Sequence, residues 1–423
     1  MASFLWLVVA VFVTDLALLA QQTWKVDCLG APGSHFMDIP PAVAAAAPGD
    51  TLLVYYTAGP GFCGKYTAPF IDKPLRIIGF KVGLAGGSNI PFTISMEGSL
   101  QVANIPAGQQ VLITNVAISH WPYGPVVGGS PITITDCAGS VVLENIIFDN
   151  YGVPQQLIKI ERCDHVVVRG SAFVIAGDPI RIIDSNVLFT NTIVYDTYPL
   201  PFWGAGYTMT TESLRLVRST VTLSGSIVLG ARNWGFGLPQ RSAATLDNST
   251  LRIGASCTFR GGRFPGTVGP WLGNFIEAYQ VVAGPSVVEV DPRVPAFNYP
   301  PASPPVATPI HETFHDWVVA DEWFNVRVLG PQGGFALLTI GNMAFPTLSP
   351  FGLLGVDLAS VYPIELVPLT QPDGFYSWTF FCPSLAPVDF AFALQTATIS
   401  PTGTIALTTP SPLVPAWDKT RIP

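Results

Sequence analysis

Charged residues are scarce in this chain of 423 residues. Asp, Glu, Lys and Arg together make up only 11% of it, and the formal net charge is −8. Charge this sparse excludes a coiled coil and an ordinary charged disordered chain. Lys and Arg form no cluster in the sequence, so no nucleic-acid partner is expected.

Paired cysteine motifs are also missing. None of the six cysteines forms a CxxC pair, which leaves a zinc ribbon and a thioredoxin-type site without support. What the chain has in quantity is 40 Gly, 40 Pro and 49% hydrophobic residues. This composition favours many short strands separated by turns.

A long apolar run occurs only at the start of the chain. The residues from Phe4 to Ala20 are almost wholly apolar, and Ala20 followed by Gln21 is a suitable cleavage point. We predict a signal peptide over residues 1–20, removed on export, with a short membrane anchor as the alternative. The mature chain is then predicted to be secreted or displayed at the cell surface, without a membrane span.

One short phrase repeats between about residues 105 and 259. Its copies are spaced 30, 25, 21, 34 and 30 residues apart, and they begin at Val111, Val141, Val166, Val187, Val221 and Leu251. Each copy has an apolar-alternating strand, a bend at a small or amide residue, and a second short strand. Periods of this size predict a solenoid. Because no helical pattern separates the copies, we predict a parallel β-helix, in which each coil adds strands about 4.8 Å above the last.

The bends and the cysteines have predicted places in this stack. The amides of Asn115, Asn145 and Asn191 recur at the bend, where we expect them to stack and to adopt the left-handed conformation.

Two cysteines precede successive copies of the repeat by four and three residues. Cys137 and Cys163 are therefore predicted at nearly the same corner of adjacent coils, either as a disulfide or as buried free thiols. Cys28 and Cys63 form a second candidate disulfide after export.

The first coils carry a capping element and a family resemblance. Residues 37–50 predict a short helix capped by Asp38, which covers the open apolar end of the solenoid. The order WKVD, HFMDIPPAVAAAAPGDTLLV, PLRIIGF and IPAGQQVLITNVAI resembles secreted bacterial right-handed parallel β-helix proteins, the pectate-lyase-like superfamily in its broad sense. The resemblance covers roughly residues 23–285.

This resemblance implies either a polysaccharide-degrading enzyme or a secreted protein without catalysis. Many such proteins are polysaccharide lyases or glycoside hydrolases, which need paired carboxylates, or a base beside a calcium site. The NTD, GHG and RIK motifs of polygalacturonase-like members do not occur here. Catalytic residues and cofactors are therefore not assigned.

The character of the sequence changes after about Val290. Our predicted boundaries are a β-helix over residues 21–290, a Pro-rich linker over 291–312 and a β-sandwich over 313–423, where at least six short strands alternate with Gly/Pro turns. His311, Glu312 and His315 match HExxH, but the following pattern indicates a strand instead of a zinc-binding helix, so we interpret the match as chance.

Loops rich in aromatic residues follow the second short strand in most copies of the repeat. Loops on one corner would form a stripe parallel to the axis, whose members are Trp121, Tyr123, Tyr151, Trp203, Tyr207, Trp234 and Trp271. Such a stripe suits glycan contact or self-association, and the alternative is that the rings pack on the flank beneath their own loops.

The sequence favours a secreted or cell-surface structural or adhesive protein without enzymatic activity. Its predicted partners are further copies of itself, in an extracellular filament or array, or a cell-envelope component such as a polysaccharide. The alternative is a polysaccharide lyase, a glycoside hydrolase or a glycan-binding protein that uses the loop-lined face of the β-helix.

Overall fold

The chain forms a parallel β-helix followed by a smaller antiparallel unit. The computed structural model describes residues 22–56, 65–81, 94–119, 130–149, 158–175, 179–196, 212–230, 242–261, 278–294, 300, 303–307, 310, 312–315, 322–349, 352–356, 358, 360–371, 374–382, 392–408 and 411–413. Parallel strands line three faces of the coils, called the first, second and third sheets, over the described residues up to 307. The first two are joined into one 17-stranded sheet, and antiparallel sheets occupy the described residues between 312 and 413. The predicted all-β fold is confirmed.

The three sheets are built from successive coils, and each strand pairs in register with its counterpart in the next coil. The first sheet contains Thr23–Val26, Thr51–Tyr56, Leu75–Lys81, Gln110–Thr114, Asn186–Thr190, Thr220–Ser224, Thr250–Ile253, Val287–Val290 and Val306–Ala307. The second sheet contains Phe70–Ile71, Leu100–Ala103, Ile180–Ile183, Glu212–Val217, Ser242–Asp247 and Tyr279–Ala283. Two long strands, Ile132–Glu144 and Ile158–Arg169, run through both of these sheets. The third sheet contains Lys65–Thr67, Ser95–Glu97, Ala117–Ser119, Ile147–Asp149, Ala172–Ile175, Ile193–Asp196, Ile227–Leu229 and Thr258–Arg260.

The core of the solenoid consists of apolar rows that run along its axis. Inward residues occupy every second position of a strand, and in-register pairing places each one over its counterpart. One such row in the first sheet is fully or almost fully buried: Ile77, Ile113, Leu143, Val168, Phe189, Leu223 and Ile253. Burial of these side chains is the main stabilising contribution, and each coil receives it from its neighbours.

Two corners of each coil turn through left-handed residues. At the corner between the first and third sheets, Asn115, Asn145 and Asn191 have φ between 47° and 59°, as predicted. Asn145 Nδ2 donates to Asn115 Oδ1 at 2.6 Å, so the predicted amide stacking occurs between these two coils. Gly225 continues the corner at φ 58°, and a Cβ there would lie 2.2 Å from Asn191 Oδ1.

The corner between the second and first sheets is also left-handed, which the sequence pattern did not reveal. Its positive-φ residues are Asn104, Asp136, Arg162, Asp184, Arg218, Asn248 and Gly284. Asn and Asp are common in this conformation, but Arg is not. The Asp and Arg side chains nevertheless fit here, because they point outward and form ion pairs between coils.

A buried ladder of serine hydroxyls follows this corner. The backbone N–H of Ser185 donates to Ser219 Oγ at 3.1 Å, and the N–H of Ser219 donates to Ser249 Oγ at 3.1 Å. Each hydroxyl in turn donates to the carbonyl two residues earlier, as Ser219 Oγ does to Val217 at 2.8 Å. The ladder satisfies N–H groups that the turn removes from the sheets.

Cys137 and Cys163 occupy the same ladder position in earlier coils. They pair in register on adjacent strands, so the predicted adjacency is correct. The predicted disulfide is not formed, because both are free thiols. Each Sγ donates to the carbonyl two residues earlier, at 3.2 Å and 3.3 Å, as the serines do. Cys28 is disulfide-bonded, and its predicted partner Cys63 lies outside the described residues.

The helix Ile39–Ala45 packs on the first coil. Asp38 Oδ1 accepts from the N–H of Ile39 at 2.8 Å, and Pro occupies the first turn, as predicted. Ile39, Ala42 and Val43 are buried in the same apolar core as the strands. The helix thus extends the core beyond the first strand.

The C-terminal unit, residues 312–413, consists of two antiparallel sheets around their own core. The three-stranded sheet contains Glu312–His315, Glu322–Leu329 and Phe375–Cys382. The other contains Phe335–Ser349, Gly352–Val356, Tyr362–Pro368, Phe392–Ile399, Ile405–Leu407 and Ser411–Leu413. Val326 and Val328 from one sheet meet Leu338 and Leu394 from the other in a shared apolar core.

We predict that Ser219→Ala lowers the free energy of unfolding by about 1–3 kcal/mol, because the buried N–H of Ser185 loses its acceptor. Ser219→Cys is the matched control, since cysteine serves at this position in two other coils, and it should cost less. Urea denaturation of the two variants checks this. Equal stability of the alanine variant and the wild type would contradict a stabilising role for the ladder.

Candidate functional site

The predicted aromatic stripe lies outside the described residues. None of Trp121, Tyr123, Tyr151, Trp203, Tyr207, Trp234 and Trp271 is described. Each of these segments follows a strand of the third sheet and precedes a strand of the second. The stripe itself stays a prediction.

The HExxH match falls on a strand. Glu312–His315 pairs antiparallel with Glu322–Leu329, so this part of the match is an extended strand and lacks the helical arrangement that a zinc site of this type needs. His311 is outside the described residues. Among the residues that the structure covers, no group of three or more His, Cys, Asp or Glu could hold a metal ion.

Glu312 instead joins the C-terminal unit to the solenoid. Its Oε2 accepts from the N–H and the hydroxyl of Ser256, both at 3.0 Å. The carboxyl group lies directly over Gly254, where a Cβ would come within 1.6 Å of Oε1. Burial raises the pKa of Glu312 to about 7, the nearby Asp291 carboxylate adds to the rise, and the hydrogen bonds from Ser256 oppose it.

The neighbouring residue Thr313 faces the opposite way, into the C-terminal unit. Its hydroxyl contacts those of Thr396 at 2.7 Å and Thr408 at 2.6 Å, and all three side chains are buried. One short strand therefore contacts both units. The carboxyl group of Glu312 lies on the last coils of the solenoid, and the hydroxyl of Thr313 lies between the two antiparallel sheets.

The outward side of the first sheet is buried in the middle coils. Val142, Val167 and Leu188 form a small apolar cluster separate from the core. Beside it, Arg169 Nε lies 3.1 Å from Glu144 Oε1, and both side chains are at least 95% buried. Burial lowers the pKa of Arg169, and the charge of Glu144 opposes this effect. This flank offers no open surface to a ligand.

Ion pairs between neighbouring coils are frequent on the exposed surface. Arg162 binds Asp136, and Arg218 donates to both oxygens of Asp184 at 2.6 and 2.7 Å. Arg252 and Glu289 are register partners joined at 2.9 Å. The stacked positions thus carry opposite charges in most of the described coils.

On the outward side of the second sheet, stacked positions carry like charges instead of opposite ones. Lys159, Arg181 and Arg215 are register partners on three successive coils, and we call them the cationic row. Lys159 pairs with Glu161 on its own strand. Arg181 and Arg215 are exposed, and neither has an ion-pair or hydrogen-bond partner among the described residues. Two residues of like charge therefore lie in register on neighbouring strands, whose backbones are about 4.8 Å apart along the axis.

The sequence pattern alone did not bring Arg181 and Arg215 together. They are 34 positions apart, whereas the preceding step from Lys159 to Arg181 is 22 positions, because the inserted segments differ in length. A signal was nevertheless present. An apolar residue, Ile183 or Val217, lies two positions after each arginine, and it is followed by Asp184-Ser185 or by Arg218-Ser219. Alignment of these two pairs gives the register of Arg181 on Arg215.

Comparison with known proteins adds a distant structural likeness. No protein-family model and no curated protein matches the chain. Among solved structures, the chain is similar to the full-length tailspike protein 2 of Escherichia coli O157:H7 bacteriophage CAB120, with 12% sequence identity and a TM-score of 0.30. The match covers 89% of this chain and 60% of the tailspike. A likeness at this score carries no argument about function. Within the described part, no helix is long and apolar enough to span a membrane.

We predict that the Glu312 joint is strongest in acid. Because its pKa is raised from 4.5 to about 7, folded Glu312 keeps its proton between these values while the unfolded chain loses it. The stabilisation is fully present below pH 4.5 and is lost as the pH rises to about 7. Relative to Glu312→Gln, the wild type should lose up to about 3 kcal/mol of unfolding free energy over this range.

Denaturant unfolding of both proteins at several pH values checks this prediction. The comparison with the glutamine variant removes the contributions of all other carboxylates. A difference between the two proteins that does not change with pH would show that Glu312 is ionised throughout.

Proposed function

We propose that this chain is a non-enzymatic adhesive protein that holds an acidic polysaccharide against the second sheet of its β-helix. The observation that supports this proposal is the stacking of Arg181 on Arg215, with no acidic side chain paired to either of them among the described residues. Export through the predicted N-terminal signal would place the protein outside the cell or on its surface, where such polymers occur.

The repulsion within the cationic row indicates selection for something other than stability. Two guanidinium groups about 5 Å apart repel one another by about 1 kcal/mol even in water, and like charges directly opposite one another weaken a sheet. Elsewhere on this solenoid, stacked positions carry ion pairs of opposite sign, such as Arg218 with Asp184. An external anion would supply the missing partner for Arg181 and Arg215.

The geometry favours a polymer with regularly repeated carboxylates. A guanidinium group binds a carboxylate through two parallel hydrogen bonds, and here two such groups follow the axis of the rod. Exposed Gln101 and Gln280 lie in the same register column, in earlier and later coils. Their amides would extend the contact to hydroxyl groups of a polymer that runs along the sheet.

The second candidate function is a polysaccharide lyase, and the same two arginines favour it. A guanidinium pair on a uronate carboxylate would stabilise the negative charge that develops when the neighbouring carbon loses its proton. The adhesive function is preferred because Lys159, the basic side chain next to the pair, is itself engaged in an ion pair with Glu161. Assembly of the rod into filaments or arrays stays a prediction, which electron microscopy of native material would test.

We predict that Arg181→Gln and Arg215→Gln each weaken binding to polygalacturonate by roughly tenfold, because each removes a charge-assisted contact. Arg218→Gln is the matched control: its guanidinium is equally accessible but already paired with Asp184, so its loss should leave affinity unchanged. Arg181→Gln should also stabilise the fold slightly, by up to about 1 kcal/mol.

Biolayer interferometry at low salt would measure these affinities, with fully methyl-esterified polygalacturonate as the uncharged ligand. Equal binding of both polymers, or full binding by both variants, would refute the proposal. Release of unsaturated products, seen by ultraviolet absorbance, would show the lyase alternative to be correct.

A further inference from the structure

A second surface with the features of a binding site lies on the three-stranded sheet of the C-terminal unit. Its two faces are distinguished by the alternation of side chains. Phe324, Val326 and Val328 point into the sandwich core, whereas Trp323, Asn325 and Arg327 point away from it. The outer face therefore combines aromatic and polar side chains at regular spacing.

Two aromatic rings are exposed at one end of this face. Trp323 and Phe381 are register partners on adjacent strands, with ring centroids 5.3 Å apart and planes tilted by 58°. Trp323 is 69% exposed and Phe381 is 47% exposed. A tilted pair of this kind offers two ring faces to solvent.

Polar side chains continue the face beyond the rings. The next register pair is Asn325 and Thr379, in which Thr379 Oγ1 donates to Asn325 Oδ1 at 2.9 Å. The pair after that is Arg327 and Ser377. Successive rows on one face are about 6.8 Å apart, so three rows span about 14 Å along the strands.

The same face meets the solenoid at its other end. Leu329 and Glu312 are register partners, and Glu312 binds Ser256 in the solenoid. Six residues separate Leu329 from Trp323, which is about 20 Å along the strand. The contacts of Glu312 thus hold the rings at a fixed distance from the joint, on a surface separate from the cationic row.

We propose that this outer face, centred on Trp323 and Phe381, binds a neutral polysaccharide. Aromatic rings stack on the apolar faces of sugars, and hydroxyl and amide groups bind the sugar hydroxyls around them. The face has both kinds of group in adjacent rows. The inference extends the proposed adhesive function to a second site, and it does not depend on the cationic row.

The size of the apolar area distinguishes a sugar from a protein partner. A stable protein interface buries about 800 Å² on each side. Two partly exposed rings offer on the order of 400 Å² at most, and the rows beyond them are polar. This area suits a few sugar rings better than a second copy of the chain.

The test is affinity electrophoresis in gels that contain hydroxyethylcellulose, galactomannan or dextran. The full-length wild type should be retarded by at least one of these neutral polymers. Trp323→Ala and Phe381→Ala should each weaken this binding by roughly tenfold, whereas Trp323→Phe should retain part of it. Both side chains are exposed, and circular dichroism would verify that the variants fold.

Two variants serve as controls. Tyr362→Ala removes an aromatic ring that is 68% exposed on the other sheet, so it should not change the retardation. Arg181→Gln should affect only acidic polymers, which separates failure of this inference from failure of the proposed function.

Three outcomes would overturn the inference: no retardation by any neutral polymer in the gels, retardation that persists in both ring variants, or a concentration-dependent dimer that is lost in Trp323→Ala. The last of these would identify the face as a contact between copies of the chain.

Discussion

In-register stacking of parallel coils is the constraint on which this structure depends. Each residue lies directly over its counterpart in the next coil. A given position along the axis therefore carries either the same kind of side chain in successive coils or side chains of opposite charge. Apolar positions form continuous rows in the core. Hydroxyl positions form a ladder in which Ser219 Oγ accepts a hydrogen bond from the N–H of Ser185. Charged positions become ion pairs, as in Arg252 with Glu289. Against this background, a stack of two arginines is conspicuous.

The ladder position also explains the two free thiols. A cysteine at this corner performs the same local task as a serine, because its Sγ donates to the carbonyl two residues back. Register alone brings Cys137 and Cys163 together, so their proximity is a by-product of the repeat and not a sign of a required cross-link. The neighbouring Cys137 and burial raise the pKa of Cys163, which disfavours its reactive thiolate.

Much of the fold could be predicted from the sequence, because short-range patterns encode it. Alternating apolar residues, the Asn bends and the capping helix all depend on neighbours within a few positions. The pairing of Arg181 with Arg215 depends instead on how many residues each inserted segment adds, and that number varies from coil to coil. Trp323 and Phe381 are further apart still, 58 positions, and only antiparallel register brings them together. Sequence periodicity therefore predicted the solenoid but neither of these surfaces.

The short strand Glu312–His315 has a mechanical consequence. Adjacent residues, Glu312 and Thr313, are bonded to different units of the chain, Glu312 by partly buried hydrogen bonds and Thr313 by buried ones. A force that pulls the C-terminal unit away from the solenoid therefore acts on two sets of hydrogen bonds, on opposite sides of one strand. This strand opposes both separation and relative rotation of the two units.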